Sequence, residues 1–237
     1  MHLKGIIFLS DQYPTRNFYP FNKAIFRKTK EISFTTPVTF FVGENGSGKS
    51  TLLKALVHKC GIHMWRDSER QSLENNPYEE LLYRYIRVQW TNGRVPGSFF
   101  SSEMFQNFAQ YLDEWAMAGT EILDYFGGKS LLTQSHGQSL MSYFRARYKR
   151  RGLYFLDEPE TALSPKSQLQ LLSLLQEMGR AGHAQFIIAT HSPILLACPG
   201  ARIYNFDTIP ISLIEYEDTE HYRIYREFFK NPERVLS

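Results

Sequence analysis

Cysteine is almost missing from this 237-residue chain: Cys60 and Cys198 lie far apart and form no CxxC pair. That excludes a disulfide framework and points to a reducing compartment. No apolar run approaches the roughly 18 residues a membrane span needs. The N-terminal MHLKGIIFLSDQ is too brief for a secretory signal and reads as a first strand. Net charge is only +3, so the whole-molecule field is weak support for a nucleic-acid partner. Sustained heptads, internal repeats, low-complexity tracts and Pro/Gly/Ser linkers are also lacking, which excludes coiled-coil arms, repeat arrays and tethered units. What remains is an ordinary globular composition, 43% hydrophobic and 22% charged, with length for one domain over 1–237. A soluble cytoplasmic protein with no membrane insertion is expected. HKCGIH, from His58 to His63, offers three metal ligands but reads as a helix end.

Along the chain, apolar runs predict strands at 3–9, 38–42, 82–90, 152–156, 186–189, 202–206 and 211–217. Phe99 and Phe100 end a further strand, read as the hairpin partner of 82–90. Helical spacing falls at 50–59, 137–150 and 164–178, and a last helix starts at Asp218. From Glu103 the residues Met104, Phe105, Phe108, Tyr111, Leu112 and Trp115 share one helical face, read as core packing. Residues 11–30 read as irregular with one short strand, and 66–80 as an exposed connection. Short apolar strands alternating with helices predict an α/β fold with a mainly parallel sheet flanked by helices.

Three segments then place chemistry at strand ends. GENGSGKS, Gly43 to Ser50, matches G-x4-G-K-[ST] between a buried strand and a helix. Gly43, Gly46 and Gly48, with Glu44, Asn45 and Ser47 between them, let backbone N–H groups wrap a phosphate chain. The helix dipole running from Thr51 onward adds to that attraction. Lys49 is placed to reach the β- and γ-phosphates and Ser50 to ligate Mg²⁺. In GLYFLDEPE, four apolar residues deliver Asp157 to the edge where ligands of parallel sheets collect, as a second metal-binding residue. Glu158 beside it is the candidate for orienting or deprotonating the attacking water. FIIATHSP brings His191 to the same edge as a sensor of the γ-phosphate.

QSHGQS, Gln134 to Ser139, opens a helix about 20 residues before the acids. Here the chain resembles the ABC-type ATPases, whose signature reads leucine, serine, two glycines, glutamine. Ser135, Gly137 and Gln138 match it, with Gln134 in place of the leucine and His136 in place of the first glycine. The order of phosphate loop, signature, LDEPE and THS from Phe40 to Pro193 resembles a compact stand-alone member. Its neighbourhood is that of soluble SMC- and RecF-like proteins and bacterial "predicted ATPases" of the AAA and ABC kind. That resemblance implies an ABC-type P-loop NTPase domain with a mainly parallel core sheet, antiparallel strands and a short helical subdomain at roughly 101–150. It also implies Mg²⁺-dependent ATP hydrolysis in a dimer. Ser135, His136, Gly137 and Gln138 of one copy would close ATP against the loop of the other, while Glu158, Lys49 and His191 act on it.

The departures are specific. ETALSP carries Ser164 where the family often has a dimer-contact aspartate. Gln89 lies too early for the family's metal-contacting glutamine, and Glu103 is the better positional candidate. The adenine-stacking aromatic is Tyr19 or Phe26. FRARYKRRG, Phe144 to Gly152, reads as a helix end rich in base, with phosphate contact on DNA or RNA as the sharper alternative. Partners implied are a second copy and a protein or nucleic-acid effector. The alternatives are an ATP-gated switch with little turnover and the ATP-binding subunit of a transporter.

Overall fold

A computed structural model of the chain describes residues 1–64, 76–101 and 136–233. The elements run β1 (Leu3–Phe8), α1 (Ala24–Lys28), β2 (Glu31–Ser33), β3 (Val38–Val42), α2 (Lys49–Cys60), β4 (Ile86–Trp90) and β5 (Gly97–Ser101). They continue as α3 (His136–Tyr148), β6 (Gly152–Asp157), α4 (Pro165–Arg180), β7 (Ala184–Ala189), α5 (Pro193–Leu196), β8 (Arg202–Asn205), β9 (Ser212–Ile214) and α6 (Glu220–Lys230).

Six strands form the core sheet in the order β5-β6-β7-β3-β8-β9, parallel except for the antiparallel pair β8–β9. Its central strands are buried on both faces, which is why they read as unbroken apolar runs rather than alternating ones. Phe40 and Leu156 pack toward α3, α4 and α5, while Phe41 and Phe155 pack toward α2. A second, antiparallel sheet of order β2-β1-β4 covers the far side of α2. Gln185 on β7 ties the sheets together. Its Oε1 accepts from the backbone N–H groups of His2 and Leu3 at 2.7 and 2.8 Å, and its Nε2 donates to Leu3 O at 2.8 Å. A buried amide with both ends satisfied fixes β1 against β7 without leaving an orphan polar group.

Local chemistry sets the helix ends. Ser164 caps α4, its hydroxyl accepting from Ser167 N, with Pro165 at the first helical position. Leu171, Leu174, Leu175 and Met178 then bury one face. At the end of α2, Gly61 takes the left-handed conformation (φ 69°) while Ile62 N donates to Val57 O.

Three expectations are corrected. β5 is not a hairpin partner of β4: β4 pairs with β1 in the small sheet, and β5 runs parallel beside β6 with Phe99 opposite Phe155. Phe99 and Phe100 face opposite cores, so β5 is covered on both faces although it is the edge strand beside β6. The strands expected at 82–90 and 211–217 are also shorter. Leu81–Tyr85 is a 3-10 turn before β4, and β9 ends at Ile214 before another such turn at Tyr216–Asp218. The last helix begins after Thr219, whose hydroxyl accepts from Tyr222 N. Region 11–30, expected to hold one short strand, holds the helix α1 instead, and no strand lies in it among the described residues. The aromatic helix expected from Glu103, most of the connection at 66–80 and most of the subdomain expected at 101–150 lie outside the described residues.

Candidate functional site

The glycine loop leaves β3 and enters α2, and its glycines answer different demands. Gly43 sits at φ +148°, where an added Cβ would lie 2.9 Å from Asp207 Oδ1. Gly48 sits at φ +109°, where a Cβ would lie 2.7 Å from the ring of Phe26. Both facts demand glycine: the conformation and the space. Among the described residues no side chain caps α2, so the N–H groups of its first turn remain available to an anion. Lys49 is buried, and its Nζ donates to Gly43 O at 2.6 Å and Glu44 O at 3.0 Å. Burial lowers its pKa, an effect opposed by the carboxylates of Glu158, Asp207, Asp157 and Glu44. Asp207 also accepts from Glu44 N at 2.8 Å, pinning the loop from the β8–β9 connection.

β6 carries Asp157 to the sheet edge, level with Ala189 of β7. Its Oδ1 accepts from Ser50 Oγ at 2.8 Å. Burial, first among causes, raises its pKa, and the Ser50 hydrogen bond partly offsets that. A buried carboxylate beside a hydroxyl is a hard-oxygen pair, which fits Mg²⁺. Glu158 follows at φ 46°, ψ 54°, the one non-glycine residue with positive φ among those described. Such a backbone costs on the order of 1–3 kcal/mol. It is held by Glu158 N donating to Ala189 O at 2.9 Å and by Thr161, whose N and Oγ1 both donate to Glu158 O. The Glu158 carboxylate comes within 3.6 Å of His191 Nε2.

His191 stands just past β7. Its backbone N–H donates to Glu160 Oε1 at 2.6 Å. Ser192 Oγ donates to Gln168 Oε1 at 2.6 Å and accepts from Leu195 N, which fixes the turn after the histidine. The ring nitrogen Nδ1 lies 2.9 Å from His221 Nε2 of α6. Burial lowers the pKa of both histidines. Burial also raises that of Glu160, opposed by the hydrogen bond from His191.

Lys49, Ser50, Asp157, Glu158 and His191 therefore come together at one edge, as the strand-end reading requires. Ser135, Glu103 and the side chain of His136 lie outside the described residues. Gly137 and Gln138 open α3, where a Cβ on Gly137 would meet Ser167 Oγ of α4 at 3.1 Å. Ser164 is exposed and engaged in its cap. Between the two aromatic candidates, Phe26 is fully buried beneath Gly48, so its ring has no open face. Tyr19 is half-buried, its hydroxyl bonded to Thr51 Oγ1. It borders a cavity of about 520 Å³ with Ser50, Thr51, Lys54 and His58. Arg147 donates to Gly97 O at 2.9 Å, and Tyr154 OH donates to Arg147 O and Arg150 O. That cluster thus closes the end of α3, with Lys149, Arg150 and Arg151 exposed. Asp207 and His221 are site residues that no motif announces, and Glu160 lies in the LDEPE motif, where sequence reading assigns it no role. Asp207 comes from the β8–β9 connection, Glu160 from the turn after β6 and His221 from the first turn of α6.

Two family models match parts of the chain. One, described as "AAA domain, putative AbiEii toxin, Type IV TA system", matches residues 138–197, and another, described as "AAA domain", matches 16–75. The hemin import ATP-binding protein HmuV of Streptomyces coelicolor is 30% identical over 189 residues, 70% of this chain and 63% of that protein. The xylose import ATP-binding protein XylG of Paraburkholderia xenovorans is 27% identical over 171 residues, 60% of this chain and 31% of that protein. The chain therefore spans less than two thirds of the length of these relatives. Among solved structures, cbiO1 from Clostridium perfringens, part of the ABC transporter complex cbiONQ, aligns with a TM-score of 0.53 at 16% identity. That alignment covers 100% of this chain and 98% of that one. Among the described residues, no helix is long and apolar enough to cross a membrane.

Proposed function

We propose that this chain, whose fold is shared with cbiO1, is an ABC-type ATPase that binds ATP with Mg²⁺ and hydrolyses the γ-phosphate in a site shared between two copies. The observation that carries the reading is the convergence at one sheet edge of a buried lysine, a Ser50–Asp157 pair 2.8 Å apart and a Glu158–His191 pair 3.6 Å apart. In this reading the triphosphate lies along Gly43–Thr51, on the backbone N–H groups and Lys49. Ser50 and Asp157 hold the Mg²⁺, which neutralises phosphate charge; Glu103 is proposed with them from its position in the chain. Glu158 orients or deprotonates the attacking water, and His191 donates to the terminal phosphate as charge develops. Tyr19, beside the cavity flanking Thr51, takes the base.

The second half of the site is proposed from the signature: Ser135, His136, Gly137 and Gln138 of the partner copy close over the nucleotide. The test is the trap Glu158→Gln. By calorimetry it binds ATP within a few-fold of wild type, and it releases phosphate at least about a hundredfold more slowly. Release at the wild-type rate rejects Glu158 as the water-activating residue.

A second reading, the ATP-binding subunit of an importer, is favoured by the likeness to the xylose and hemin import ATP-binding proteins. Stimulation of phosphate release by a co-purifying membrane partner would support it; a rate indifferent to every such partner would not.

A further inference from the structure

The His191–His221 contact joins the site to the C-terminal helix. Nothing in the motifs calls for a second histidine there. His221 lies in the first turn of α6, directly after the Thr219 cap, and its Nε2 is 2.9 Å from His191 Nδ1, the rings tilted by 54° with centroids 5.0 Å apart. No residue of α6 is buried, so this hydrogen bond is a specific link in an otherwise lightly held helix.

We infer that His221 is a positioning residue for turnover: by donating its Nε2–H to His191 Nδ1, it fixes the tautomer in which His191 presents Nε2–H toward Glu158 and the terminal phosphate. The inference rests on the nucleotide reading above. A neutral imidazole carries one N–H. His191 Nε2 is buried without a hydrogen-bond partner and lies 3.6 Å from Glu158 Oε1. An ionised carboxylate only accepts, and so do phosphate oxygens, so the proton belongs on Nε2. Nδ1 is then a bare acceptor, and the nitrogen facing it must carry the hydrogen. His221 becomes the Nε2–H tautomer, which agrees with its Nδ1 being buried without a partner. Doubly protonated rings are opposed first by burial and also by the nearby Lys49 ammonium, against the carboxylates of Glu158 and Glu44, which act the other way. The backbone N–H of His191, engaged with Glu160, holds the residue but leaves the ring's tautomer open. The His221 contact closes that choice. An imidazole held as the wrong tautomer cannot play its part even with its ring in place.

A purely structural tether predicts something different, and three variants separate the two. His221→Gln keeps an N–H donor at that height, His221→Glu offers an acceptor when ionised, and His221→Leu offers neither. Nitrogen-15 spectra of the full-length wild type without nucleotide should report His191 protonated at Nε2 and bare at Nδ1. Steady-state turnover of Mg-ATP should fall by about tenfold or more in His221→Leu, with KM for ATP unchanged within about twofold. His221→Gln should recover to within about threefold of wild type, while His221→Glu stays slow and shows the His191 proton moved to Nδ1. A wild-type spectrum with Nδ1 protonated overturns the inference, as does His221→Gln turning over as slowly as His221→Leu with the His191 tautomer intact. A wild type that does not hydrolyse ATP overturns the hydrolytic reading and the kinetic half of this one, while the spectrum still decides the tautomer.

Discussion

An acid that follows a fully buried strand must turn out of the sheet at once, and Glu158 does so through a left-handed backbone held by Ala189 and Thr161. The glycines beside it test the same logic. Gly48→Ala faces both a positive φ and the Phe26 ring at 2.7 Å, whereas Gly46, at φ +75°, has nothing within 4 Å of an added Cβ. Gly46→Ala should therefore lower stability by about 1 kcal/mol, from backbone strain alone. Gly48→Ala should lose at least about 2 kcal/mol and bind ATP weakly, because Phe26 must move. Thermal melts with and without ATP check both. Lys49→Ala removes the cation inside the loop and should weaken ATP binding by about tenfold or more in calorimetry.

The histidine pair gives a pH dependence with a defined sign. Burial lowers both pKa values, so the folded chain favours neutral rings. The unfolded chain takes up protons first as pH falls through about 6.5, so this stabilisation is full above that pH and is lost on acidification. Asp157 and Glu160, raised by burial, act oppositely: their protonation on acidification favours the folded state. Comparing wild type with His221→Gln cancels the carboxyl contributions. The melting temperature of wild type relative to the variant should fall as pH is lowered from about 7.5 to about 5.5; a constant difference would show that His221 does not titrate differently on folding.

Elements were legible in the sequence wherever a local pattern fixes them. The buried runs of β3, β6 and β7, the glycine turn into α2 and the apolar face of α4 all follow from spacing and burial within one segment. Pairing was less legible. Phe99 and Phe100 gave the strand but not its neighbour, since hairpin and parallel arrangements ask the same of two adjacent aromatics. The site divides likewise. Lys49, Asp157, Glu158 and His191 sit at strand ends marked by motifs. Asp207 reaches the loop and His221 reaches His191 through tertiary packing, which leaves no periodic trace. At this scale Ser164→Ala should cost about 1 kcal/mol through loss of the α4 cap, read by chemical denaturation. A larger loss of turnover than of stability would show that Ser164 also meets the partner copy.

For the whole molecule, the two sheets clasp α2 and leave the phosphate loop, acids and histidine on one rim, while α3 opens against α4 at Ser167. A rim of that kind is half of the proposed nucleotide site. Specific activity should therefore rise with protein concentration before reaching a plateau, and Glu158→Gln with ATP should elute as a dimer where the nucleotide-free protein does not. Activity per molecule that stays constant down to nanomolar protein would favour hydrolysis within a single copy. The most direct measurement is phosphate release at saturating Mg-ATP, wild type against Glu158→Gln. Steady release by the first, reduced at least about a hundredfold in a variant that still binds ATP, is the predicted result. No release by the wild type, or equal release by both, contradicts it.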